Sequence, residues 1–130
     1  MAAQTNYQHF LVSTPLPFVA HVEINRPKKL NAFFEVMWFE LRTIFDALSV
    51  DPEIRAIVMS GAGDRAFTTG LDVEAANLLR SESDDVARKA VALKRDIKEF
   101  QDCISSVENC EKRASLPFPA AVYPWTPRSE

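Results

Sequence analysis

The sequence predicts one domain of the α/β class, and three patterns along the chain indicate it. Residues 19–24 alternate apolar and polar side chains, which is typical of a strand with one buried face. Residues 54–60 form a near-continuous apolar run, which favours a strand covered on both faces. Two long stretches repeat apolar residues at spacings of three and four, as amphipathic helices do.

Length and composition restrict the classes of function. The chain has 130 residues, 47% hydrophobic and 25% charged, as expected for an ordinary globular domain. A formal net charge of −3 argues against a nucleic-acid surface, and no apolar run is long enough for a membrane span. The first basic residue is Arg26 and the chain ends without a Ser-Lys-Leu type address, so we expect no targeting signal.

The two cysteines are expected to remain reduced thiols. On one helix, Cys103 and Cys110 would lie roughly 10 Å apart, too far for a disulfide. They also lack the spacing of metal ligands, so no metal site is predicted. Reduced thiols are typical of an intracellular protein.

The first strands and the first helix can be placed from local signals. The sequence predicts a short strand at residues 10–13, which Pro15 and Pro17 should stop. Asn31 is expected to cap the following helix, because its side-chain oxygen can accept an orphan N–H. The Asp51-Pro52 pair should end that helix. Its expected buried stripe consists of Phe33, Phe34, Met37, Trp38, Leu41, Phe45 and Leu48.

A second long helix is predicted from about residue 83 to residue 107. Asp84 and Asp85 lie in its first turn, where negative charge is favourable. We expect its apolar stripe to pack on the sheet, although the heptad spacing also permits a coiled coil. The stripe comprises Val86, Ala90, Leu93, Ile97, Phe100, Ile104 and Val107.

The loop after residue 60 has two interpretations from its residues alone. Gly61-x-Gly63-x-x-Ala66 matches a dinucleotide fingerprint, but the residues after it are poor at starting a helix. The stronger interpretation places a ligand beside Gly70, where the backbone can approach closely. Residues 71–76 would then start a short helix whose free N–H groups hold a carbonyl oxygen that gains negative charge. An ordinary strand-to-helix turn is the alternative.

Two separated motifs resemble the enoyl-CoA hydratase/isomerase (crotonase) family. Residues 22–32 read VEINRPKKLNA, residues 55–61 read RAIVMSG, and residues 66–72 read AFTTGLD. Their order and spacing agree with the family across residues 10–112, and Asp84-Asp85-Val86-Ala87-Arg88 is most similar to its dienoyl-CoA isomerase branch. The resemblance implies a truncated crotonase-like ββα spiral, containing the N-terminal half only. Residues 113–130 hold four of the eight prolines and are expected to be a Pro-rich tail unrelated to the family.

The resemblance also implies a substrate and a site. The substrate would be an acyl-CoA thioester, with no separate cofactor, and the location peroxisomal or mitochondrial. The backbone N–H of Leu71, after Gly70, would be one of two donors to the thioester oxygen. The CoA-contacting loop would comprise Lys28, Lys29, Leu30 and Ala32, and the acyl pocket would be lined by Asp72, Val73 and Glu74. The lysines suit CoA phosphates unaided, but a solvated loop end is equally consistent with them.

Part of the family's catalytic apparatus has no counterpart in these residues. The family's second donor comes from a Gly-Gly loop after the long helix, yet no glycine follows Gly70. The carboxylates that move protons in β-oxidation isomerases come later still, and Asp72, Glu74 and Glu111 fall at other positions. We therefore predict that the chain is inactive alone. Two alternatives remain: a non-enzymatic module that joins full-length family subunits or its own copies, and a heptad-driven scaffold without a ligand.

Overall fold

A computed structural model describes residues 5–75 and 84–116 as one sheet with two helices. The elements in order are β1 (Thr5–Asn6), β2 (Phe10–Leu16), β3 (Val19–Ile24), α1 (Glu35–Val50), β4 (Ala56–Gly61), α2 (Val86–Glu108) and β5 (Arg113–Ser115). A 3-10 turn at Pro27–Lys29 lies between β3 and α1. The α/β class predicted from the sequence is confirmed.

The strands follow one another across the sheet in chain order. β1, β2 and β3 are antiparallel neighbours, whereas β3, β4 and β5 run parallel. Parallel neighbours need a crossover connection, and α1 and the α2 segment supply the two crossovers. This arrangement brings the ends of β3 and β4 to the same edge, where the motif loops begin.

β2 extends further than the sequence predicted. We expected Pro15 to stop it, but pairing with β3 continues to Leu16 opposite Val19. The register shifts between Ser13 and Leu16, so Pro15 lies in an irregular stretch of the ladder. Proline is tolerated at such a position because its missing N–H is not needed there.

The core lies between the sheet and α1. Ala20, Val22 and Ile24 are buried on one face of β3, which confirms the predicted alternation. β4 is less completely covered than predicted, since Ile57 and Met59 are buried while the other four residues of the strand are half-buried. The helix α1 ends at Val50 with Asp51 as its C-cap, as expected. Its buried residues are Met37, Leu41, Ile44, Phe45 and Leu48, of which Ile44 was missing from the predicted stripe.

The prediction that α2 packs on the sheet is wrong, because α1 already covers that face and α2 packs on α1. The rings of Trp38 and Phe100 meet edge to face, 4.3 Å between centroids. Cys103 is fully buried in this contact and, like Cys110, is a free thiol as predicted. Asp85 caps α2 by accepting a hydrogen bond from the Ala87 amide at 2.9 Å.

The sheet continues into the segment that was assigned to the tail. Arg113–Ser115 forms β5, and its three residues pair in parallel with the first half of β4. Residues 117–130 lie outside the described part of the chain, and the domain boundary after residue 112 stays a prediction. Neither α1 nor α2 is long and apolar enough to cross a membrane.

Candidate functional site

Asn31 organises the loops at the end of β3 and β4. It was predicted to cap α1, but the N-cap is Phe34 and Asn31 is fully buried with φ of +57°. Its side-chain oxygen accepts a hydrogen bond from the Arg26 amide at 3.0 Å. Its Nδ2 donates to the carbonyl oxygens of Ala62 and Ala66, each at 2.9 Å. One amide side chain thus joins three loop segments.

Gly61 makes this arrangement possible. A Cβ built on Gly61 would lie 2.3 Å from the Phe67 carbonyl oxygen and 2.8 Å from Nδ2 of Asn31. No side chain fits at these distances, so the backbone of residues 66–67 can cross β4 only where the chain has glycine. The loop then leads to Gly70, whose φ of +87° is a conformation that side chains other than glycine's rarely adopt.

Arg26 joins the first motif to the second. Its guanidinium donates to the Asp72 carboxylate at 2.7 Å and to the Ala32 carbonyl oxygen at 2.9 Å. It also lies over the ring of Phe34, 4.6 Å from the centroid. The Asp72 side chain is only 9% exposed, and its second oxygen accepts from the amides of Glu74 and Ala75. The carboxylate therefore fixes residues 72–75 and does not face open space.

The Arg26 guanidinium, through its hydrogen bond, holds the pKa of Asp72 below its usual value of 3.8. The two backbone amides act in the same direction, and partial burial opposes them. A carboxyl group with a lowered pKa in the folded state stabilises the protein when it is ionised. Asp72 is accordingly a structural anion that remains charged near neutral pH.

We expect Asp72→Asn to remove part of the acid sensitivity of the fold. In the wild type, the Asp72 contribution is fully present above the unfolded-state pKa and is lost as pH falls through the folded-state pKa. Urea unfolding between about pH 6 and pH 3 should therefore show a smaller fall in stability for Asp72→Asn than for the wild type. Glu74→Gln is the matched control, because Glu74 is exposed and its curve should follow the wild type. Equal pH dependence in Asp72→Asn and wild type would contradict this assignment.

The backbone amide of Leu71 is held in place, and no residue in the described part of the chain accepts a hydrogen bond from it. The Phe33 amide donates to the Gly70 carbonyl oxygen at 2.7 Å, and the Asp72 amide donates to the Phe33 carbonyl oxygen at 2.8 Å. These two bonds form a parallel bridge between Phe33 and Leu71. Within residues 5–75 and 84–116, the Leu71 N–H donates no hydrogen bond. The bridge thus fixes an amide that remains able to bind an acceptor.

A cavity of about 120 Å³ lies beside this loop. Its walls come from the start of α1, the middle of α2 and the loop at Leu71 and Ala75. The remaining lining residues are Phe34, Glu35, Trp38, Phe39, Asp96, Glu99, Phe100 and Cys103. Burial raises the pKa of the Cys103 thiol, so this sulfur stays protonated near neutral pH.

The residues predicted for the site come together only in part. Lys29 lies beside the second motif, with its Nζ 3.3 Å from the Glu74 carboxylate, and both side chains are exposed. Lys28 is exposed on the same 3-10 turn, whereas Ala32 is buried. The Ala32 amide donates to the Lys29 carbonyl oxygen, and its own carbonyl oxygen accepts from Arg26. Leu30 is half-buried with a positive φ of 52°.

The acyl-pocket residues were assigned less accurately than Leu71. Asp72 points toward Arg26, and Val73 is 82% exposed. The cavity wall contains Leu71 and Ala75 instead of Asp72, Val73 and Glu74. The assignment of these three residues to an acyl pocket stays a prediction that the cavity does not favour.

The loop also bears on the two earlier interpretations of the glycines. The described residues after β4 form turns and not a helix, so the segment from Gly61 does not build the helix start that a dinucleotide site needs. The short helix expected from Leu71 is also absent over 71–75, where residues 73–75 form a turn. Residue 76 lies outside the described part.

Sequence reasoning missed Arg26, the buried role of Asn31 and the cavity wall from α2. A signal existed for Arg26, since a basic residue directly before Pro27 belongs to the first motif, but its partner lies 46 positions away.

Over the described residues, no group of three or more His, Cys, Asp or Glu side chains could hold a metal ion.

Solved structures of enoyl-CoA hydratases and isomerases share this fold. The crystal structure of an enoyl-CoA hydratase/isomerase from Xanthobacter autotrophicus Py2 superposes with a TM-score of 0.71 and 26% identity. The match covers 88% of this chain and 39% of that chain. The sequence profile of the family named enoyl-CoA hydratase/isomerase matches residues 17–109. The chain therefore belongs to the enoyl-CoA hydratase/isomerase family and contains part of the crotonase fold.

Curated relatives resemble the chain over a limited part of their own length. The mitochondrial Delta(3,5)-Delta(2,4)-dienoyl-CoA isomerase of Rattus norvegicus is 39% identical over 109 residues, covering 82% of this chain and 33% of the relative. The peroxisomal Delta(3,5)-Delta(2,4)-dienoyl-CoA isomerase of Arabidopsis thaliana is 33% identical over 97 residues, covering 72% of this chain and 34% of the relative. The chain spans about a third of the length of these relatives.

Proposed function

We propose that this chain binds an acyl-CoA thioester through the loop around Leu71, in the manner of a dienoyl-CoA isomerase of fatty-acid β-oxidation. The observation that carries the proposal is the unpartnered Leu71 amide beside the cavity, fixed by the Phe33 bridge. The relatives act in the mitochondrion or the peroxisome according to their names, and we propose one of these compartments for this chain.

The chemistry of the amide follows from its surroundings. A thioester oxygen accepts hydrogen bonds more strongly as it gains negative charge, and a preorganised N–H stabilises that charge without moving. The Gly70 amide donates to the Thr68 hydroxyl and the Asp72 amide donates to Phe33. Of these three consecutive amides, that of Leu71 has no acceptor among the described residues and can serve the substrate. Lys28 and Lys29 supply exposed positive charge for the CoA phosphates.

The chain by itself supplies one donor and no recognised proton carrier. Within its 130 residues no glycine follows Gly70, so the second donor of the family has no counterpart. Loss of one donor costs roughly 10²–10³ in rate, and loss of the general acid or base costs roughly 10²–10⁴ more. We therefore propose that the isolated chain binds thioester but does not turn it over.

We expect a 3,5-dienoyl-CoA thioester to raise the melting temperature of the chain. Ligand at about 100 times its dissociation constant adds about 2.7 kcal/mol to the stability of the folded state. Replacing the Leu71 amide with an ester removes the N–H and also makes the Gly70 carbonyl oxygen a weaker acceptor for the Phe33 amide. Thioester binding should weaken at least about fivefold, as expected for the loss of one hydrogen bond. The measurement is thermal unfolding with titrated ligand, alongside diene absorbance for turnover.

The same ester change at Val73 is the matched control. The Val73 amide also donates no hydrogen bond within the described residues, and its position lies outside the cavity wall. Free CoA should bind with the same affinity to the Leu71 ester and the wild type, but more weakly after Lys28→Glu with Lys29→Glu. Equal thioester affinity of the Leu71 and Val73 esters would contradict the proposed role of the Leu71 amide. Turnover by the isolated chain would contradict the proposal that it is inactive alone.

A second candidate function is a non-enzymatic module that associates with full-length subunits of the family. It is favoured by β5, whose outer edge has no neighbouring strand among the described residues. An open strand edge can pair with another chain. Co-elution of the purified chain with a full-length dienoyl-CoA isomerase would support this function, and separate elution at all ratios would contradict it.

A further inference from the structure

Four aromatic rings line the cavity beside the candidate site, and three of them already contact another ring. Phe34 meets His9 edge to face, with 4.8 Å between the centroids. Trp38 and Phe100 meet each other. The fourth ring is that of Phe39, on the second turn of α1. In the described part of the chain, no aromatic ring contacts it.

The core does not use the Phe39 ring either. Its side chain is half-buried, and it does not belong to the side chains that form or flank the hydrophobic core. The Arg42 guanidinium lies over the ring, 5.5 Å from the centroid. Aromatic rings gain more from an offset or edge-to-face contact with another ring than from burial of the same apolar area. Phe39 therefore lines the cavity with a ring that has no aromatic partner among the described residues.

We propose that Phe39 determines specificity for acyl groups that carry an aromatic ring, by contacting that ring inside the cavity. Leu71 lines the same cavity as Phe39, so the acyl group of a thioester bound at the Leu71 amide has this wall beside it. Phe39 has this role only if the thioester binds at Leu71, so the assignment rests on the proposed function. A benzene ring is flat, like a conjugated diene, so this acyl class is compatible with the loop contact proposed above.

The carboxylates at the cavity disfavour an anionic acyl group. Glu35, Asp96 and Glu99 line it, and no lysine or arginine of the described residues does. An acyl group that ends in a carboxylate would meet like charge there. Glu35 and Glu99 are exposed, so water solvates their charges, and the rings supply the apolar surface of the wall. A neutral phenyl group is therefore the probe that tests the ring contact without charge.

Two thioesters with the same carbon skeleton separate ring contact from burial. The acyl groups are 3-phenylpropanoyl and 3-cyclohexylpropanoyl, which differ only in whether the terminal ring is aromatic. The cyclohexyl ring is the more apolar of the two, so burial alone favours it. The quantity to compare between variants is therefore the ratio of the two dissociation constants, in which the intrinsic difference between the ligands cancels. Calorimetric titration of the full chain with each CoA thioester measures both constants.

Phe39→Leu should shift this ratio against the phenyl compound about threefold to tenfold, because leucine keeps apolar bulk but removes the ring. Phe39→Tyr keeps the ring and should keep the wild-type ratio. Phe18→Leu is the matched control, because Phe18 is also partly exposed with an arginine over its ring, 4.3 Å from Arg55, and lies outside the cavity wall. Circular dichroism checks that each variant is folded.

The pattern across the three variants decides the role of Phe39. A shifted ratio in Phe39→Leu, with wild-type ratios in Phe39→Tyr and Phe18→Leu, supports it. An unchanged ratio in Phe39→Leu overturns it, and so does an equal shift in Phe39→Tyr or Phe18→Leu.

The Leu71 ester distinguishes a failure at Phe39 from a failure of the proposed function. It should weaken both thioesters by the same factor and leave their ratio as in the wild type. If both thioesters bind and the ester weakens them, but the ratio is the same in Phe39→Leu, then the aromatic preference is wrong and the proposed function stands. If neither thioester binds the wild type, both are overturned.

Discussion

Gly61→Ala is expected to destabilise the fold by roughly 3–5 kcal/mol, which is a large share of the stability of a small domain. The new methyl carbon would lie 2.3 Å from the Phe67 carbonyl oxygen and 2.8 Å from the Ala66 carbonyl oxygen. Both atoms are backbone, so relief requires the loop to move away from β4. That movement would also break the hydrogen bond from Asn31 to Ala66. Chemical unfolding of the two purified chains measures the difference.

Gly70→Ala is the control that separates crowding from backbone strain. Gly70 has φ of +87°, and a Cβ there would meet no atom within 4 Å. Its cost should therefore be limited to the left-handed conformation, about 1–2 kcal/mol. Equal losses for Gly61→Ala and Gly70→Ala would show that the close contact beside β4 does not exist.

Asn31→Asp is expected to have an effect of similar size with an unusual pH dependence. The substitution replaces Nδ2, which donates to two carbonyl oxygens, with an oxygen that repels them. At neutral pH it also buries an uncompensated charge, with a cost of roughly 3–5 kcal/mol. Since this environment disfavours the ionised form, the new carboxyl should have a raised pKa in the folded state.

The sign of the resulting pH effect is opposite to that at Asp72. A raised folded-state pKa contributes stability that is present below the unfolded-state pKa and is lost as pH rises through the folded-state pKa. Asn31→Asp should therefore be closest to the wild type near pH 4 or below and furthest from it at pH 7. Urea unfolding at both pH values tests this.

Asn25→Asp makes the same change of charge at an exposed position and is the matched control. It should alter stability by no more than about 0.5 kcal/mol at either pH. A wild-type melting curve for Asn31→Asp at neutral pH would contradict the three hydrogen bonds assigned to the Asn31 side chain.

The parts of the fold that the sequence predicted are those governed by local periodicity. The alternation in β3 and the end of α1 at Asp51-Pro52 depend on neighbouring residues and were placed correctly. The partner of α2 was not, because its stripe shows that a helix is amphipathic but not which surface covers it. Cys103, one position away from the predicted Ile104, became the buried residue. The surface on which α2 packs is decided by α1, which already covers that face of the sheet.

The sequence predicted the part of the candidate site that depends on a glycine. Gly70 indicated that the next amide, that of Leu71, could contact a ligand. The structure adds the bridge to Phe33, which holds that amide in position. The contact between Asp72 and Arg26 was beyond sequence reasoning, since a carboxylate in a loop gives no indication of whether it faces a ligand or an arginine 46 positions earlier. The polar residue at Asn31 resembles a helix cap in the sequence because both roles use the same amide group.

The bridge between Phe33 and Leu71 uses main-chain atoms alone. The side chain at residue 71 takes no part in holding the amide, so mutational drift at this codon can proceed while the donor keeps its position. Comparing residue types at position 71 across species would therefore understate its importance. The feature that has to be kept is the course of the backbone from Thr68 to Asp72. That course depends on Gly70 and on the residues that anchor both ends of the segment.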